Sequence, residues 1–356
     1  MRFCMAGGGT GGHVIPALAV ARELRGRGHE VYFVGTVRGV EHRLVPAEGF
    51  GIEYVELGGL KNVGLMTRVT SLLGLVRSTW MQYRRFRARR PDAVFSIGGY
   101  VAGPPVLAAV LQGIPLVVME PNAVPGFTNR HIARWVRRAL VSFKETERFF
   151  PAGRAEVTGR PVREEFFGIG PKPAEDVFTV LITGGSQGSR TLNNAARECW
   201  PKLRASGPRV RLIHSTGPAM FEEMKRDWDR AGLDGELSPF ITEMPAAFAK
   251  ADLIICRSGG TVSEVAAAGK PAVMIPFPFA ADQHQLKNAE AFERAGAARM
   301  VLDRDWNGAR MFAAISELAA DRGQLAAMGD AARGLARRGA AQRTAEVLEM
   351  VALGGG

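Results

Sequence analysis

A short apolar run that breaks into closely spaced glycines and resumes as a helix-like stretch occurs twice in this 356-residue chain. The first copy is Gly7-Gly8-Gly9-Thr10-Gly11-Gly12-His13, after residues 3–6, and the second is Gly184-Gly185-Ser186-Gln187-Gly188-Ser189-Arg190, after residues 177–183. A buried strand that turns through glycines into a helix aims backbone N–H groups and a positive helix end at one point, which suits a phosphate or diphosphate. Two such turns predict two α/β domains and a diphosphate chemistry. The length, generous for one core and comfortable for two, agrees.

The remaining apolar runs alternate with helical patterns. Residues 2–6, 30–34, 93–97, 116–119 and 139–142 read as strands, with a helix over about 14–26. The series restarts at 177–183 and continues at 211–214, 253–256 and 272–275, with amphipathic helices from 311 to the end. This order predicts parallel sheets covered on both faces. Residues 157–163, rich in Gly and Pro, mark the boundary, giving domains 1–160 and 161–339, with a last helix near 340–353 that can return to the first. Residues 94–119 carry no charge but hold four glycines and three prolines, so they read as strand, turn, helix and strand rather than a membrane span. The few residues before the first glycines are too short for a signal peptide.

Charge is unevenly spread. Residues 1–160 hold 22 Lys+Arg against 11 Asp+Glu, whereas residues 161–356 hold 24 of each, so the whole net charge of +11 lies in the first half. That half therefore calls for an anionic partner. Within it, residues 57–91 contain eight Lys+Arg and no acid. Val69, Leu72, Leu73, Val76, Trp80 and Tyr83 recur there at helical spacing, with Leu65, Met66, Leu75, Met81 and Phe86 off that stripe. A basic amphipathic helix of this kind reads as a membrane-surface binder, against the plainer reading of a core-facing helix with a solvated face. Aromatics interleaved in an RNA-binding pattern are absent, so nucleic acid ranks below lipid. Cys4, Cys199 and Cys256 are isolated, which argues against zinc and disulfide frameworks and fits a reducing compartment.

The first turn satisfies Gly-x-Gly-x-x-Gly, yet a dinucleotide site also needs an acid at the end of the second strand, and Phe33-Val34-Gly35-Thr36 offers none. His13 falls at the start of the following helix, where it is either a capping or packing residue or a general base. A third strand–glycine–helix turn runs Arg257-Ser258-Gly259-Gly260-Thr261-Val262-Ser263-Glu264. Glu264 can accept both hydroxyls of a ribose there, or merely complement the helix dipole. A fourth turn, Gly98-Gly99-Tyr100, lies in the basic half and can receive a second diphosphate. Asp227-x-Asp229 and Asp303-x-Asp305 resemble metal-binding pairs, but neither follows a buried strand, and both read as surface acids; no metal is assigned.

These motifs occur in the same order in one bacterial group, and the chain resembles the MurG family of peptidoglycan N-acetylglucosaminyltransferases. The likeness runs over almost the whole sequence and includes Glu120-Pro121-Asn122, Gly159-Arg160-Pro161-Val162-Arg163 and Asp282-Gln283-His284-Gln285. It implies a GT-B fold, α/β throughout, with two Rossmann-like domains whose parallel sheets face across a deep cleft. The second domain would bind UDP-N-acetylglucosamine: the backbone of Ile241, after Phe240, on the uracil, Glu264 on the ribose, and Ser186 with Gly260, Thr261, Val262 and Ser263 on the diphosphate. Arg163, Gln285, Asn122, Thr10, Gly11 and Gly12 would complete that site. Gly98, Gly99 and Tyr100 would take the diphosphate of the acceptor, the undecaprenyl-diphosphate-linked muramyl pentapeptide called lipid I. No cofactor is implied. The base is His13 first and Glu120 second, and the enzyme would work peripherally on the cytoplasmic face of an anionic membrane. Two departures stand out. The donor turn after Arg257 is one residue shorter than the family's, and Pro121 replaces a glutamine. Two rivals remain: a UDP-sugar epimerase on the same architecture, and a non-catalytic membrane or nucleotide-binding module.

Overall fold

The computed structural model describes residues 1–57, 65–173, 175–206 and 208–355, with side chains for all of these except 65–72, 206 and 281. The chain forms two compact units, one of residues 1–161 with 339–356 and one of residues 162–338.

In the first unit the order is β1 (Arg2–Gly7), α1 (Gly11–Gly26), β2 (Glu30–Gly35), α2 (Glu41–Ala47), β3 (Gly51–Tyr54), α3 (Leu65–Ala88), β4 (Ala93–Gly98), α4 (Gly103–Leu111), β5 (Leu116–Glu120), α5 (Phe127–Ile132), β6 (Arg138–Val141) and β7 (Ala155–Val157). The seven strands form one parallel sheet in the order β3-β2-β1-β4-β5-β6-β7. The second unit holds α6 (Glu164–Phe167), β8 (Phe178–Thr183), α7 (Arg190–Ser206), β9 (Val210–Ser215), α8 (Phe221–Ala231), β10 (Gly235–Ser238) and α9 (Met244–Lys250). It continues with β11 (Leu253–Cys256), α10 (Thr261–Ala268), β12 (Ala272–Met274), α11 (His284–Arg294), β13 (Ala298–Met300), α12 (Gly308–Ala320) and α13 (Arg322–Leu335). Its six strands are parallel in the order β10-β9-β8-β11-β12-β13.

The central strands β4, β5, β8 and β11 are buried at every position. Helices cover both of their faces, which is why the sequence shows them as unbroken apolar runs. The four strands that the sequence reading does not anticipate, β3, β7, β10 and β13, are the four sheet edges. Each mixes polar with apolar residues, as Gly51-Ile52-Glu53-Tyr54 does, because an edge is only half covered. The uncharged stretch 94–119 forms β4, a 3-10 turn at Tyr100–Ala102, α4 and β5, with Pro104 and Pro105 in the first turn of α4 where their missing N–H groups cost nothing. The last helix, α14 (Ala340–Ala352), packs on the first unit. Its Ala345, Val347, Leu348 and Val351 share one apolar cluster with Phe3, Val14, Leu18 and Leu24, and its Glu349 meets His29 at 2.7 Å and Arg27 at 3.1 Å.

Each sheet reverses its strand order beside its first strand: β2 and β3 lie to one side of β1 and β4–β7 to the other, and likewise around β8. Such a switch point leaves a crevice at the carboxyl ends of the two strands that flank it. Those strands are β1 and β4 in one unit and β8 and β11 in the other, and the four glycine turns are the segments that follow them.

Candidate functional site

In the first unit the two turns interlock around His13. Thr10 is the residue before α1; its carbonyl accepts the N–H of His13 and of Val14, each at 3.1 Å, and its Oγ1 lies 3.1 Å from His13 Nδ1. With the ring proton on Nδ1 and donated to that hydroxyl, Nε2 carries the lone pair a general base needs. Gly98 and Gly99 both have positive φ, +86° and +84°, and a Cβ on Gly99 would stand 3.2 Å from the Gly8 carbonyl and 3.4 Å from His13 Nδ1. The imidazole thus rests on a turn that has no room for a side chain. The ring of exposed Tyr100 leans on Gly9 in the same way, 3.0 Å from where its Cβ would be. Thr128 Oγ1 donates to the Gly99 carbonyl at 3.0 Å, and Arg160 reaches the Gly12 carbonyl at 2.7 Å. Arg160, named only as part of a motif, is therefore the arginine that meets this turn.

Glu120 ends β5 and is 1% exposed. Oε1 accepts from Asn122 N and Nδ2, both at 3.0 Å, and Oε2 accepts from Gly126 N at 3.1 Å and Asn129 Nδ2 at 3.0 Å. Burial pushes its pKa up to about 7 despite these donors. Both of its oxygens are engaged in this conformation, whereas His13 lies on the glycine turns. Glu120 anchors the segment 122–129. The amide nitrogen of Asn122 is directed at Glu120.

The end of the second strand carries no acid, but one folds back onto it from the next helix. Glu41, the first residue of α2, returns its fully buried carboxylate to Thr36 and to the first glycine turn, where Gly9 N donates at 2.8 Å. Being buried, it has no face to present to a ribose, so the dinucleotide reading still fails. The sequence signal was an acid just past the strand end, five residues beyond Thr36, outside the window in which such acids are sought.

In the second unit, Gly185 N donates to Thr183 Oγ1 at 3.2 Å and Gly188 N to the Gly185 carbonyl at 2.9 Å, closing the turn after β8 with Ser186 exposed at its tip. Gly188 is irreplaceable by geometry: a Cβ would stand 1.9 Å from the Thr216 carbonyl. That carbonyl is held by Asn193 Nδ2 at 2.9 Å, and Asn193 Oδ1 pairs with His214 Nε2 at 3.0 Å. His214 is fully buried, and burial lowers its pKa to about 3, so it stays neutral. After β11, buried Arg257 donates to the carbonyls of Ile275 at 3.0 Å and Pro276 at 3.3 Å and pairs with Asp303 at 2.5 Å. Ser258 Oγ donates to the Gln285 carbonyl at 2.7 Å, and Gln285 Oε1 accepts from Phe277 N at 3.0 Å. The start of the turn after β11 is therefore fixed through Arg257 and Ser258. It leads into α10, whose first turn carries Thr261, Val262, Ser263 and half-buried Glu264, with exposed Gly260 before it. A Cβ on Gly259 would stand 3.4 Å from Gln285 Nε2, so that amide lies over the turn. Half-buried Ile241 follows β10, and exposed Arg163 precedes α6, its guanidinium 5.3 Å above the Phe166 ring. The first unit thus gathers His13, Thr10, Gly11, Gly12, Gly98, Gly99 and Tyr100, and the second carries Ser186, Ile241, Gly260–Glu264 and Gln285.

The paired aspartates divide. Asp227 and Asp229 lie on α8 in ion pairs with Arg197 at 3.2 Å and with Lys225, as surface acids do. Asp303 is different: it is half-buried, and besides Arg257 it accepts from Thr191 Oγ1 at 3.2 Å. Among the described residues no group of three or more His, Cys, Asp or Glu could hold a metal.

On α3 part of the apolar stripe faces solvent. Ser78, Gln82 and Phe86, spaced by four, form the buried line, whereas Leu73, Val76 and Trp80 are 63%, 61% and 61% exposed. The buried polar pair is satisfied by the strand β3 side: Ser78 Oγ donates to the Glu56 carbonyl at 2.7 Å and Gln82 Nε2 to Glu53 at 3.2 Å. Phe86, read as off the core stripe, is core. Lys61 and the side chains of Leu65, Met66, Arg68, Val69 and Leu72 lie outside the described residues. No helix among the described residues is long and apolar enough to cross a membrane.

The chain matches the glycosyltransferase family 28 N-terminal domain over residues 3–141 and the family's C-terminal domain over residues 179–344. It is 60% identical over 351 residues to the UDP-N-acetylglucosamine--N-acetylmuramyl-(pentapeptide) pyrophosphoryl-undecaprenol N-acetylglucosamine transferase of Solibacter usitatus (strain Ellin6076), covering 98% of this chain and 96% of that one. The crystal structure of Acinetobacter baumannii MurG superposes with a TM-score of 0.82 at 33% identity, over 98% of this chain and 99% of that one. A UDP-GlcNAc 2-epimerase from Neisseria meningitidis, solved with UDP-GlcNAc bound, superposes at 0.68 with 14% identity over 98% and 100%, which shows a common fold and nothing further.

Proposed function

The chain belongs to glycosyltransferase family 28, among its MurG-type members, and on that premise we propose that it moves N-acetylglucosamine from UDP-N-acetylglucosamine to the 4-hydroxyl of the muramyl sugar of lipid I. The product is lipid II, formed with inversion at the anomeric carbon. Within the fold, one observation carries this reading: two glycine turns meet at the β8/β11 switch point, with Glu264 in the first turn of the helix that follows. A carboxylate there accepts the two ribose hydroxyls, and the adjacent N–H groups at the start of α10 face a diphosphate. Ser186 and Arg163 add donors to the leaving UDP, Gln285 meets the sugar, and the backbone of Ile241 meets the uracil.

The first unit binds the acceptor. Its diphosphate lies at the Gly98–Tyr100 turn, whose backbone is bent to positive φ. His13 Nε2 removes the proton from the attacking hydroxyl while its Nδ1 is held by Thr10. The charge that develops on UDP is met by donors already in position, the arrangement that contributes most in reactions of this kind. No step needs a metal ion.

The reaction takes place at the cytoplasmic side of a membrane to which the protein binds peripherally. An α3 that buries Ser78 and Gln82 while exposing Leu73, Val76 and Trp80 is unsuited to water alone and suited to a lipid surface, and arginines flank it. The non-catalytic alternative explains α3 but leaves the His13–Thr10 pair without purpose.

The test is purified protein with UDP-N-acetylglucosamine and a soluble lipid I analogue, followed for UDP release with each component omitted in turn. Release that depends on both substrates is expected. A change in the sugar of the donor with no acceptor present would instead select the epimerase reading.

A further inference from the structure

Glu41 is the one buried carboxylate at the first glycine turn that the reaction above does not use. Oε2 accepts the Gly9 N–H at 2.8 Å, and Oε1 accepts the Thr36 N–H at 2.9 Å and the Thr36 hydroxyl at 3.0 Å. The cavity it fills exists because three neighbours lack side chains: a Cβ on Gly8, Gly35 or Gly39 would stand 2.6, 2.6 or 2.0 Å from its atoms. A turn of this kind normally offers its N–H groups to a bound anion. Here one of those groups is already taken by an anion that belongs to the protein.

We propose that Glu41 is a positioning residue, which pins Gly9 so that Thr10 holds His13 in its reacting orientation. The path is short. Gly9 sits at φ +85° between the Glu41 carboxylate on its N–H and the Tyr100 ring over its Cα. Thr10 follows directly, and it fixes His13 twice, through its carbonyl on the His13 N–H and through its hydroxyl on Nδ1. If the Gly9 N–H is released, the peptide that sets the direction of the Thr10 hydroxyl can rotate. The donor residues carried by the second unit do not depend on this contact, whereas Thr10 follows it directly. The inference rests on His13 as the base, and the experiment separates the two.

Glu41→Gln keeps the shape of the side chain but turns an NH2 group toward either Gly9 N–H or the Thr36 donors, so one contact is lost in either orientation. Measured with UDP-N-acetylglucosamine and the lipid I analogue, kcat should fall about 10- to 100-fold, as displaced catalytic groups do, with a much smaller change in KM for the donor. The deciding measurement is repeated on a Thr10→Ala background, Thr10 being exposed and its loss tolerable to the fold. There, Glu41→Gln should cost no more than about threefold further, because the link it acts through is already broken. An equal fold-loss in both backgrounds means a merely structural role and overturns the proposal, as does a wild-type kcat in Glu41→Gln. Thr36→Val, which removes only the hydroxyl donor, is the gentler second variant. It should show a smaller loss with the same dependence on Thr10, and additive losses there overturn the proposal even if Glu41→Gln does not fold. His13→Ala is assayed alongside. Near-wild-type turnover in that variant removes His13 from the base role whatever Glu41 does, whereas a large loss there with additive Glu41 effects defeats the present inference alone.

Discussion

His13 and Gly99 lie close across two different glycine turns: a methyl group on Gly99 would stand 3.4 Å from the imidazole Nδ1 and 3.2 Å from the Gly8 carbonyl. Gly99 also holds φ at +84°, a region that costs an L-residue about 1–2 kcal/mol. Gly99→Ala is therefore expected to lower kcat by tenfold or more while the affinity for UDP, measured calorimetrically, stays unchanged. A variant with normal turnover would show that neither the turn nor its contact with His13 matters to the reaction.

Glu264 makes the opposite prediction. Hydrogen bonds to an ionised group contribute about 1.5–3 kcal/mol, so Glu264→Ala should weaken UDP about 10- to 100-fold. The helix itself should survive, since α10 buries Val262, Val265, Ala266, Ala267 and Ala268 and not this carboxylate. Isothermal titration with UDP is the measurement, and unaltered affinity would remove Glu264 from the ribose.

Glu120 ties stability to pH. Burial raises its pKa from 4.5 to about 7, so the native state holds a proton there that the unfolded chain releases. A raised value means its contribution is fully present below about 4.5 and declines as pH rises through 7. The stability of the wild type relative to Glu120→Gln, which has nothing to titrate, should therefore decrease between pH 4.5 and 7 by up to about 3 kcal/mol. Denaturant unfolding at several pH values reads this directly; a flat difference would show that the carboxyl ionises normally, and one that rises with pH that its pKa is lowered instead.

The parts of this molecule that were readable in advance share one property: their signal is local in the chain. Central strands such as β8 and β11 are buried on both faces and so appear as apolar runs, and a glycine turn between strand and helix is visible in six or seven consecutive residues. What was not readable depends on contacts between distant segments. Glu41 looks like a helix-start acid until α2 folds back and Gly8, Gly35 and Gly39 make room for it. The donors of Asn122, Gly126 and Asn129 that close around Glu120 leave no mark in its local sequence. Asp303 looks like a surface acid until Arg257, 46 positions earlier, is seen beside it. On α3 the periodicity is present, but the buried line of Ser78, Gln82 and Phe86 is not legible, because Ser78 and Gln82 find partners on β3 and just after it that no spacing rule reveals.

Metal removal gives a fourth prediction. If the UDP leaving group is met by the N-terminal end of α10 and by arginine, EDTA should leave turnover unchanged within error in a buffer free of divalent ions. Strict loss on chelation, restored by one divalent ion, would replace this account with a metal-assisted one.

The exposed face of α3 gives the last. Trp80 stacks on Tyr83, their ring centroids 5.6 Å apart and their planes nearly parallel, so Trp80 is held outward on a rigid support with Leu73 and Val76 on its side of the helix. Inserting such a face into a bilayer surface gains roughly 1.5–3 kcal/mol for each large apolar side chain fully removed from water, and the basic residues around it add an attraction that salt screens. Co-sedimentation with vesicles containing anionic lipid should therefore fall with rising salt. Trp80→Ser combined with Val76→Ser should weaken it at least tenfold, while UDP release from the soluble acceptor analogue is unchanged. Since Ser78, Gln82 and Phe86 form the buried line, these two substitutions should leave the thermal midpoint within a few degrees of wild type. Binding that ignores anionic lipid, salt and both substitutions would mean that this face serves something other than a membrane.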